Sequence, residues 1–266
     1  MMRTPEDDLK VVSVYDGYEQ AFWNHVNLDP LDYFFFILDL KQHPENTKIL
    51  LAIEGEKIQG LMLVYSGLIV QLRGKRRAIE KLFDHINLEK INLQAPLEFE
   101  DLVIRKYTPQ IRHELVLMTL KKGEEKLQII EKPVRLGPED ALEVANLMKE
   151  ADPEWWGEIT PEDRKQSLEE TFWVGFKHDG RIVSVGNARF NDLGSNVGVI
   201  ATDQRHRNMG YATSIVSTLV EEILKRSPAA LIHVLSENAP AIRVYSKVGY
   251  RPYKRYLLMR AERIKT

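Results

Sequence analysis

The clearest pattern of apolar and polar positions lies between Val197 and Leu224. A β-branched run at residues 197–200 is bounded by polar residues, which predicts a buried strand. From Ala212 onward apolar residues recur at i, i+3 and i+4 for more than three turns, which predicts an amphipathic helix. The pattern therefore predicts a strand, a loop and a helix that begins after Gly210.

This loop has the features of an anion-binding site. The first N–H groups of a helix have no partner inside it, and the aligned peptide dipoles make that end partly positive. Arg205 and Arg207 add charges that can pair with phosphate oxygens, and Gly210 lets a ligand approach the backbone without a Cβ in the way. The spacing is neither that of a P-loop nor that of a dinucleotide-binding loop, so the residues give no support to a nucleoside triphosphate or NAD site.

A second segment follows the helix. An apolar run at residues 231–235 predicts a strand, and Asn238 is a good helix cap. Helical spacing of the apolar positions continues to Val248, and Gly249 ends that helix. Residues 250–259 are predicted to form a terminal pair of strands.

The two segments carry a family resemblance. Arg207-Asn-Met-Gly210-Tyr-Ala212 has the spacing R-x-x-G-x-A, and Tyr245-Ser-Lys-Val-Gly249-Tyr250 has the spacing Y-x-x-x-G-(F/Y). In these motifs the chain resembles the GCN5-related N-acetyltransferases (GNAT). The resemblance implies an α/β fold with a mixed, mostly antiparallel sheet flanked by helices, and it implies that the anion is the pyrophosphate of acetyl-CoA.

The resemblance also implies the site residues. Tyr245 would protonate the departing thiolate, since a phenol pKa of about 10 is close to a thiol pKa of about 8.5. A backbone N–H near Ile200 or Ala201 would polarise the thioester carbonyl. Asn208 stands where the family usually has Gly, but Asn tolerates the left-handed conformation. The expected cofactor contacts are Val199, Ile200, Ala201, Arg205, Arg207, Asn208, Met209, Gly210, Tyr211, Ala212, Thr213, Asn238, Ala241 and Tyr245.

The general base and the acceptor site stay open. Asn196 stands where several glycine-acyltransferase-like relatives carry Glu, and it cannot act as a base. The candidate bases, each with an ordinary surface or capping role as its alternative, are Glu158, Asp203, His233 and Glu237. The candidates for lining an acceptor pocket, with core packing as their alternative, are Trp155, Trp156 and Phe172.

The two halves of the chain have similar element orders. Helical residues 15–43 precede a hairpin, a strand, a loop and a helix, and the same order recurs after a charged linker at residues 121–126. A second hairpin is predicted around Asp179-Gly180, which suits a type I′ turn. A helix after Pro138 is predicted to bury Leu142, Ala145, Leu147 and Met148.

The first half lacks the cofactor motif. Lys57 matches Arg181 with a shift of 124, whereas Gly74 matches Gly210 with a shift of 136, so about 12 residues are missing before its loop glycine (136 − 124). We therefore expect two tandem GNAT-like domains, a degenerate one at residues 1–126 and an intact one at residues 127–266. This arrangement resembles the FR47-like and glycine N-acyltransferase-like branch.

Composition narrows the function classes. The formal net charge is −2 and cysteine is absent, which disfavours nucleic acid as the main partner and excludes disulfides and a cysteine nucleophile. Histidines without ligand spacing predict no metal. An acidic N-terminus without an apolar core, and apolar runs too short to span a bilayer, predict a cytoplasmic protein with no membrane partner.

These observations predict an N-acetyltransferase. Acetyl-CoA would acetylate a primary amine directly, on a small molecule or on a peptide N-terminus or lysine. The alternative from another class is a catalytically silent CoA- or acyl-CoA-binding sensor or scaffold, favoured by Asn196 and by the degenerate first half, and opposed by Tyr245 with Asn238. Transfer of a longer acyl group is a further alternative, and the oligomeric state stays open.

Overall fold

A computed structural model describes residues 8–265, so the acidic start at residues 1–7 lies outside it. The chain forms two compact units. The first comprises residues up to 116, residues 235–237 and residues from 254 on, and the second comprises residues 117–234 and 238–253. Residue 126, the boundary expected from the sequence, thus lies within the second unit.

The first unit is a sheet with helices. Its order is β1-β2-β3-β4-β5-β12; β4 and β5 are parallel, while the pairs β1–β2, β2–β3, β3–β4 and β5–β12 are antiparallel. Its strands are β1 (Leu9–Ser13), β2 (Thr47–Glu54), β3 (Lys57–Tyr65), β4 (Ile69–Gly74), β5 (Lys90–Pro96), the start of β6 (Tyr107–Lys121) and most of β12 (Arg251–Arg263). Its helices are α1 (Glu19–Val26), α2 (Phe34–Gln42), α3 (Arg76–Phe83) and α4 (Glu100–Ile104).

The second unit repeats this plan. Its order is β11-β10-β9-β8-β7, with β10 and β11 parallel and the other pairs antiparallel. Its strands are β7 (Val134–Arg135), β8 (Phe172–His178), β9 (Arg181–Arg189), β10 (Ser195–Thr202) and β11 (Ala229–Leu235). Its helices are α5 (Ala141–Ala151), α6 (Pro153–Trp156), α7 (Pro161–Glu170), α8 (Tyr211–Leu224) and α9 (Ala239–Val248). Each unit thus has the mixed, mostly antiparallel sheet that was predicted.

The β8–β9 hairpin turns as the sequence predicts. Asp179 has φ 50° and Gly180 has φ 78°, so both central residues adopt the positive φ of a type I′ turn. The prediction of helix over residues 15–43 is partly wrong, because the chain leaves the helix between Val26 and Phe34. Pro30 lies in this break, and proline lacks an N–H donor and disfavours helix in the residue before it.

One further expectation is wrong, and another holds only in part. Residues 250–259 do not form a pair of strands, because β12 runs on as one strand and pairs antiparallel with β5 from Tyr256 to Glu262. This pairing places the end of the chain in the first unit. Of the predicted buried face of α5, Ala145, Leu147 and Met148 are buried, whereas Leu142 is 58% exposed and Ala141 and Val144 are buried as well.

Candidate functional site

The strands β10 and β11 separate in the middle of the second unit. Their parallel pairing joins Ser195–Val197 to residues 230–232 and extends no further in the part of the chain that the structure describes. Beyond it, β10 continues to Thr202 along β9. An opening therefore lies beside the last residues of β10, and their backbone groups can face a ligand there.

A β-bulge marks the start of this opening. The register between β9 and β10 shifts between Val197 and Ile200, and the backbone N–H of Val199 donates to Oδ1 of Asn187 at 2.7 Å. A Cβ on Gly198 would lie 2.5 Å from that same oxygen, so any larger residue would displace the Asn187 side chain. Neither Asn187 nor Gly198 was predicted from the sequence to belong to the site, although a glycine inside a strand pattern is a known signal of a bulge.

The hydrogen bonds of β10 show which way the two candidate carbonyl-binding N–H groups, those of Ile200 and Ala201, point. Asp203 N donates to Val183 O at 2.9 Å, and the register pairs Ala201 with Val185. Hydrogen-bonded and non-hydrogen-bonded pairs alternate along an antiparallel ladder, so the N–H of Ala201 points at β9. The N–H of Ile200 points the other way, toward β11.

The loop before α8 provides a row of unpaired donors. Asn208 has φ 63° and Gly210 has φ 87°, which turns the chain into the first turn of α8. Within residues 8–265, the backbone N–H groups of residues 208–213 donate to no protein acceptor. The first internal bond at this end runs from Ser214 N to Gly210 O. These N–H groups lie at the positive end of a 14-residue helix, which is the geometry of an anion cradle.

The structure gives a conformational reason for a glycine at position 210, where φ is 87°. A Cβ there would lie 2.7 Å from Cδ1 of Ile130, whose backbone N–H donates to Ser214 Oγ at 3.2 Å. The end of the Ile130 side chain, which is 79% exposed, therefore lies on the side of Gly210 where a Cβ would project. Glycine is required at this position by its positive φ.

The two loop arginines have different partners. Arg205 pairs with Asp203 through Nη2 at 2.9 Å and Nε at 3.2 Å, whereas Nε of Arg207 donates to Thr202 O at 3.4 Å. Hydrogen bonds from the side chain and the backbone N–H of Arg205 hold the pKa of Asp203 well below its usual value. Asp203 is thus a weak candidate for a general base, because its carboxylate already accepts from Arg205.

The second motif places a buried phenol on α9. Asn238 caps this helix, since its Oδ1 accepts from Ala241 N at 3.1 Å. Tyr245 is 6% exposed, and its ring lies 6.2 Å from the ring of buried Tyr250. Burial raises the pKa of Tyr245 above its usual value, so the phenol stays protonated at neutral pH. The Tyr250 hydroxyl has no hydrogen-bond partner among the residues described.

The remaining candidates for the general base and for the acceptor pocket lie at different positions in the structure. Glu158 is exposed in the second unit, and His233 is partly exposed on β11. In the first unit, Oε1 of Glu237 lies 2.8 Å from Nδ1 of His113. Trp156 packs on the core around Trp173, while Phe172 stacks with Phe190 at 5.7 Å. Trp155 meets Trp156 edge to face at 6.4 Å.

The equivalent place in the first unit is closed. Strands β4 and β5 pair over residues 69–71 and 92–94, and the next long side chain of β4, Arg73, donates from Nη2 to Gln94 Oε1 at 2.7 Å. Arg73 also donates from Nε to Asp32 at 2.6 Å. Lys75 alone separates β4 from α3, whereas residues 203–210 separate β10 from α8. The first unit therefore lacks both the opening and the loop.

No group of three or more His, Cys, Asp or Glu side chains within residues 8–265 is arranged to hold a metal ion. None of the helices in that range is long and apolar enough to cross a membrane.

Comparison with known proteins agrees with this geometry. Residues 174–258, from β8 to β12, match the family model described as FR47-like protein. No curated protein matches the chain.

Several solved structures share the fold. A protein from Drosophila melanogaster is 12% identical over 95% of this chain and 98% of its own, with a TM-score of 0.68. A tandem GNAT protein from the clavulanic acid biosynthesis pathway is 14% identical over 97% and 99%, with a TM-score of 0.59. A GNAT-family protein from Novosphingobium aromaticivorans is 17% identical over 77% and 89%, with a TM-score of 0.58. The predicted resemblance is confirmed: the chain has the GNAT fold, like that of a tandem GNAT protein, and the FR47-like match lies in its second half.

Proposed function

We propose that the second unit is an N-acetyltransferase that uses acetyl-CoA. The observation that carries this proposal is the row of unpaired N–H groups at residues 208–213, beside the opening between β10 and β11. The FR47-like match covers both features, and the solved relatives include proteins described as GNAT acetyltransferases. The sequence motifs and the geometry thus support the same ligand.

The cradle suits a diphosphate. A helix N-terminus binds an anion through backbone N–H groups, and Arg207 adds a charge that no carboxylate neutralises within the described chain. The opening beside Ile200 is an extended slot that suits the pantetheine arm. A ligand bound in both places would direct its thioester toward the bulge at Gly198 and Val199.

The residues around the slot can assist acyl transfer. Acetyl-CoA supplies an acyl carbon activated as a thioester. The N–H of Ile200 donates to the carbonyl oxygen and stabilises the charge that develops there. As the nitrogen of the acceptor forms its bond to the acyl carbon, the carbon–sulfur bond breaks, and the phenol of Tyr245 donates its proton to the sulfur. The proton that the amine loses passes through water back to the Tyr245 oxygen.

The first unit is proposed to have no part in CoA binding. The Arg73–Gln94 hydrogen bond bridges its strands where the second unit has an opening, and Lys75 alone forms its loop. The proposed division of labour is a structural first unit and a catalytic second unit.

Thiol release from acetyl-CoA across a panel of primary amines tests the proposal. The wild-type protein is compared with Tyr245→Phe, and Tyr250→Phe is the matched control, because it removes a neighbouring buried hydroxyl. We expect turnover that falls at least about tenfold in Tyr245→Phe and persists in Tyr250→Phe.

The alternative function makes a different prediction. A sensor or scaffold would bind CoA tightly and release no thiol with any amine. If Tyr250→Phe loses turnover while Tyr245→Phe keeps it, the enzyme is supported but the assignment of its acid is wrong.

A further inference from the structure

A buried amide lies on the strand that carries the bulge. Asn196, at the start of β10, is 4% exposed, and its Oδ1 accepts no hydrogen bond from the residues that the structure describes. An unpaired buried carbonyl oxygen is costly, and such groups in native proteins usually have a partner. Asn196 is therefore suited to accept a hydrogen bond from a bound molecule.

Two arginines lie on the same face of this sheet. Arg189 is the cross-strand partner of Asn196, so the two side chains share a face. Arg164, on α7, places its guanidinium carbon 6.0 Å from the ring centres of both Trp156 and Trp173. Trp173 in turn is the cross-strand partner of Asn187, two residues before Arg189 on β9. The two guanidinium groups and the Asn196 oxygen thus belong to one neighbourhood in the second unit.

Neither arginine has a counter-ion in the described chain. Arg164 and Arg189 form no ion pair there, and Nε of Arg164 is buried without an acceptor. The nearest carboxylate along the chain, that of Asp163, accepts from N and Oγ1 of Thr160 at 2.8 and 2.6 Å.

The electrostatics of Arg164 are unfavourable without an anion. Burial lowers its pKa, the carboxylate of Asp163 opposes that shift, and the charge of Arg189 adds to it. Two like charges that are close enough to affect each other, one of them partly desolvated, are stabilised when an anion pairs with both.

This neighbourhood adjoins the proposed acyl position. Asn187 fixes the bulge at Gly198 and Val199, and Asn196 precedes the bulge on the same strand. The cradle at residues 208–213 lies beyond the other end of β10. An acceptor bound near Asn196 would therefore approach the acyl group from the side opposite the diphosphate.

We propose that the acceptor is an amine that also carries an anionic group, a carboxylate or a phosphate, which Arg164 and Arg189 bind. Oδ1 of Asn196 accepts a hydrogen bond from the amine of this acceptor. This inference rests on the proposed function, because it requires the acyl group of acetyl-CoA to lie at the bulge of β10.

Matched amines test this inference. Glycine, β-alanine and 2-aminoethyl phosphate are titrated calorimetrically into the protein with and without saturating CoA, each against its neutral counterpart glycinamide, β-alaninamide or ethanolamine. Turnover with acetyl-CoA is measured for the same amines. The variants are Arg164→Gln and Arg189→Gln, and Arg181→Gln is the control at the exposed start of the same strand, β9.

We expect at least one anionic amine to bind at least about tenfold more tightly than its neutral counterpart, because charge-assisted hydrogen bonds are the strong ones. The preference should disappear in Arg164→Gln and Arg189→Gln and persist in Arg181→Gln. The inference is overturned if neutral amines bind as tightly, if the preference survives both substitutions, or if CoA binds and no anionic amine does. In that last case the proposed function stands, whereas a failure of CoA to bind removes the proposed function and leaves the anion preference measurable without CoA.

Discussion

Asn187 accepts a hydrogen bond from the backbone N–H of Val199 at 2.7 Å, and this bond holds the bulge of β10 in place. Because the Val199 amide is occupied in this way, the N–H of Ile200 is the next one that turns toward β11. A side chain on β9 thus determines which amide of β10 can meet a carbonyl oxygen. Asn187 is a positioning residue in this account.

Asn187→Ala should lower kcat/KM by about tenfold or more, since a small misplacement of a catalytic group has a large effect on rate. CoA affinity should change less, because the hydrogen bonds of the Asn187 side chain join it to Thr171 and Val199, outside the cradle at residues 208–213. Thr171→Val is the control, since it removes the hydroxyl that accepts from Nδ2 of Asn187 at 3.3 Å and donates to Ser167 O at 2.7 Å, whereas the bond from Val199 to Asn187 stays. Equal losses in the two variants, with folding intact by circular dichroism, would contradict this role.

Gly210→Ala should destabilise the protein by about 1–3 kcal/mol, because a non-glycine residue at φ 87° is strained and its Cβ would meet Ile130. Denaturant unfolding of Gly210→Ala, Ile130→Ala and the double variant separates the two causes. We expect the double variant to be more stable than the sum of the single effects predicts, since Ile130→Ala removes the contact and leaves the strain. Additive effects would contradict a clash between the new Cβ and Ile130.

Acid should lower the stability of the first unit, because it protonates Asp32. Burial would raise the pKa of Asp32, but the charge of Arg73 and hydrogen bonds from Lys254 and Tyr256 lower it below 3.8. A carboxyl group whose folded pKa is lowered contributes stability above its unfolded pKa, and this contribution is lost as the pH falls through the folded value.

Asp32→Asn should therefore cost about 3–5 kcal/mol at pH 7, since it leaves Arg73 buried without its charge partner. The difference from the wild-type protein should shrink as the pH falls below about 4. Asp84→Asn, at an exposed pair with Lys106, is the control and should cost less than about 1 kcal/mol. A gap between wild type and Asp32→Asn that stays constant down to pH 2 would be inconsistent with this linkage.

Local patterns in the sequence predicted much of the fold. Asp179-Gly180 predicted its turn because a type I′ turn needs two positive φ angles, and the order of strand, loop and helix around Gly210 follows from periodicity. Asn208 adopts the left-handed conformation that the motif requires.

Long-range contacts could not be predicted in this way. Arg73 forms a hydrogen bond with Asp32, which lies 41 positions away in the sequence. The Arg73–Gln94 hydrogen bond also cannot be predicted from the spacing of apolar residues. Ile130 lies in a stretch without a regular pattern, so its contact with Gly210 depends on tertiary packing. The pairing of β12 with β5 likewise joins distant parts of the chain. A domain boundary predicted from the charged segment at residues 121–126 therefore gives no sign that the last strand belongs to the first unit.

The central claim is that the backbone N–H groups of residues 208–213 bind the diphosphate of CoA. The most direct measurement is the chemical shift of these amides in 15N-labelled protein during titration with CoA and, separately, with inorganic pyrophosphate. We predict saturable shifts concentrated at residues 208–213 with both ligands, and no shift at the start of α3 in the first unit, around Arg76. Unchanged amides at residues 208–213 with CoA in excess, or equal shifts at α3, would contradict the account.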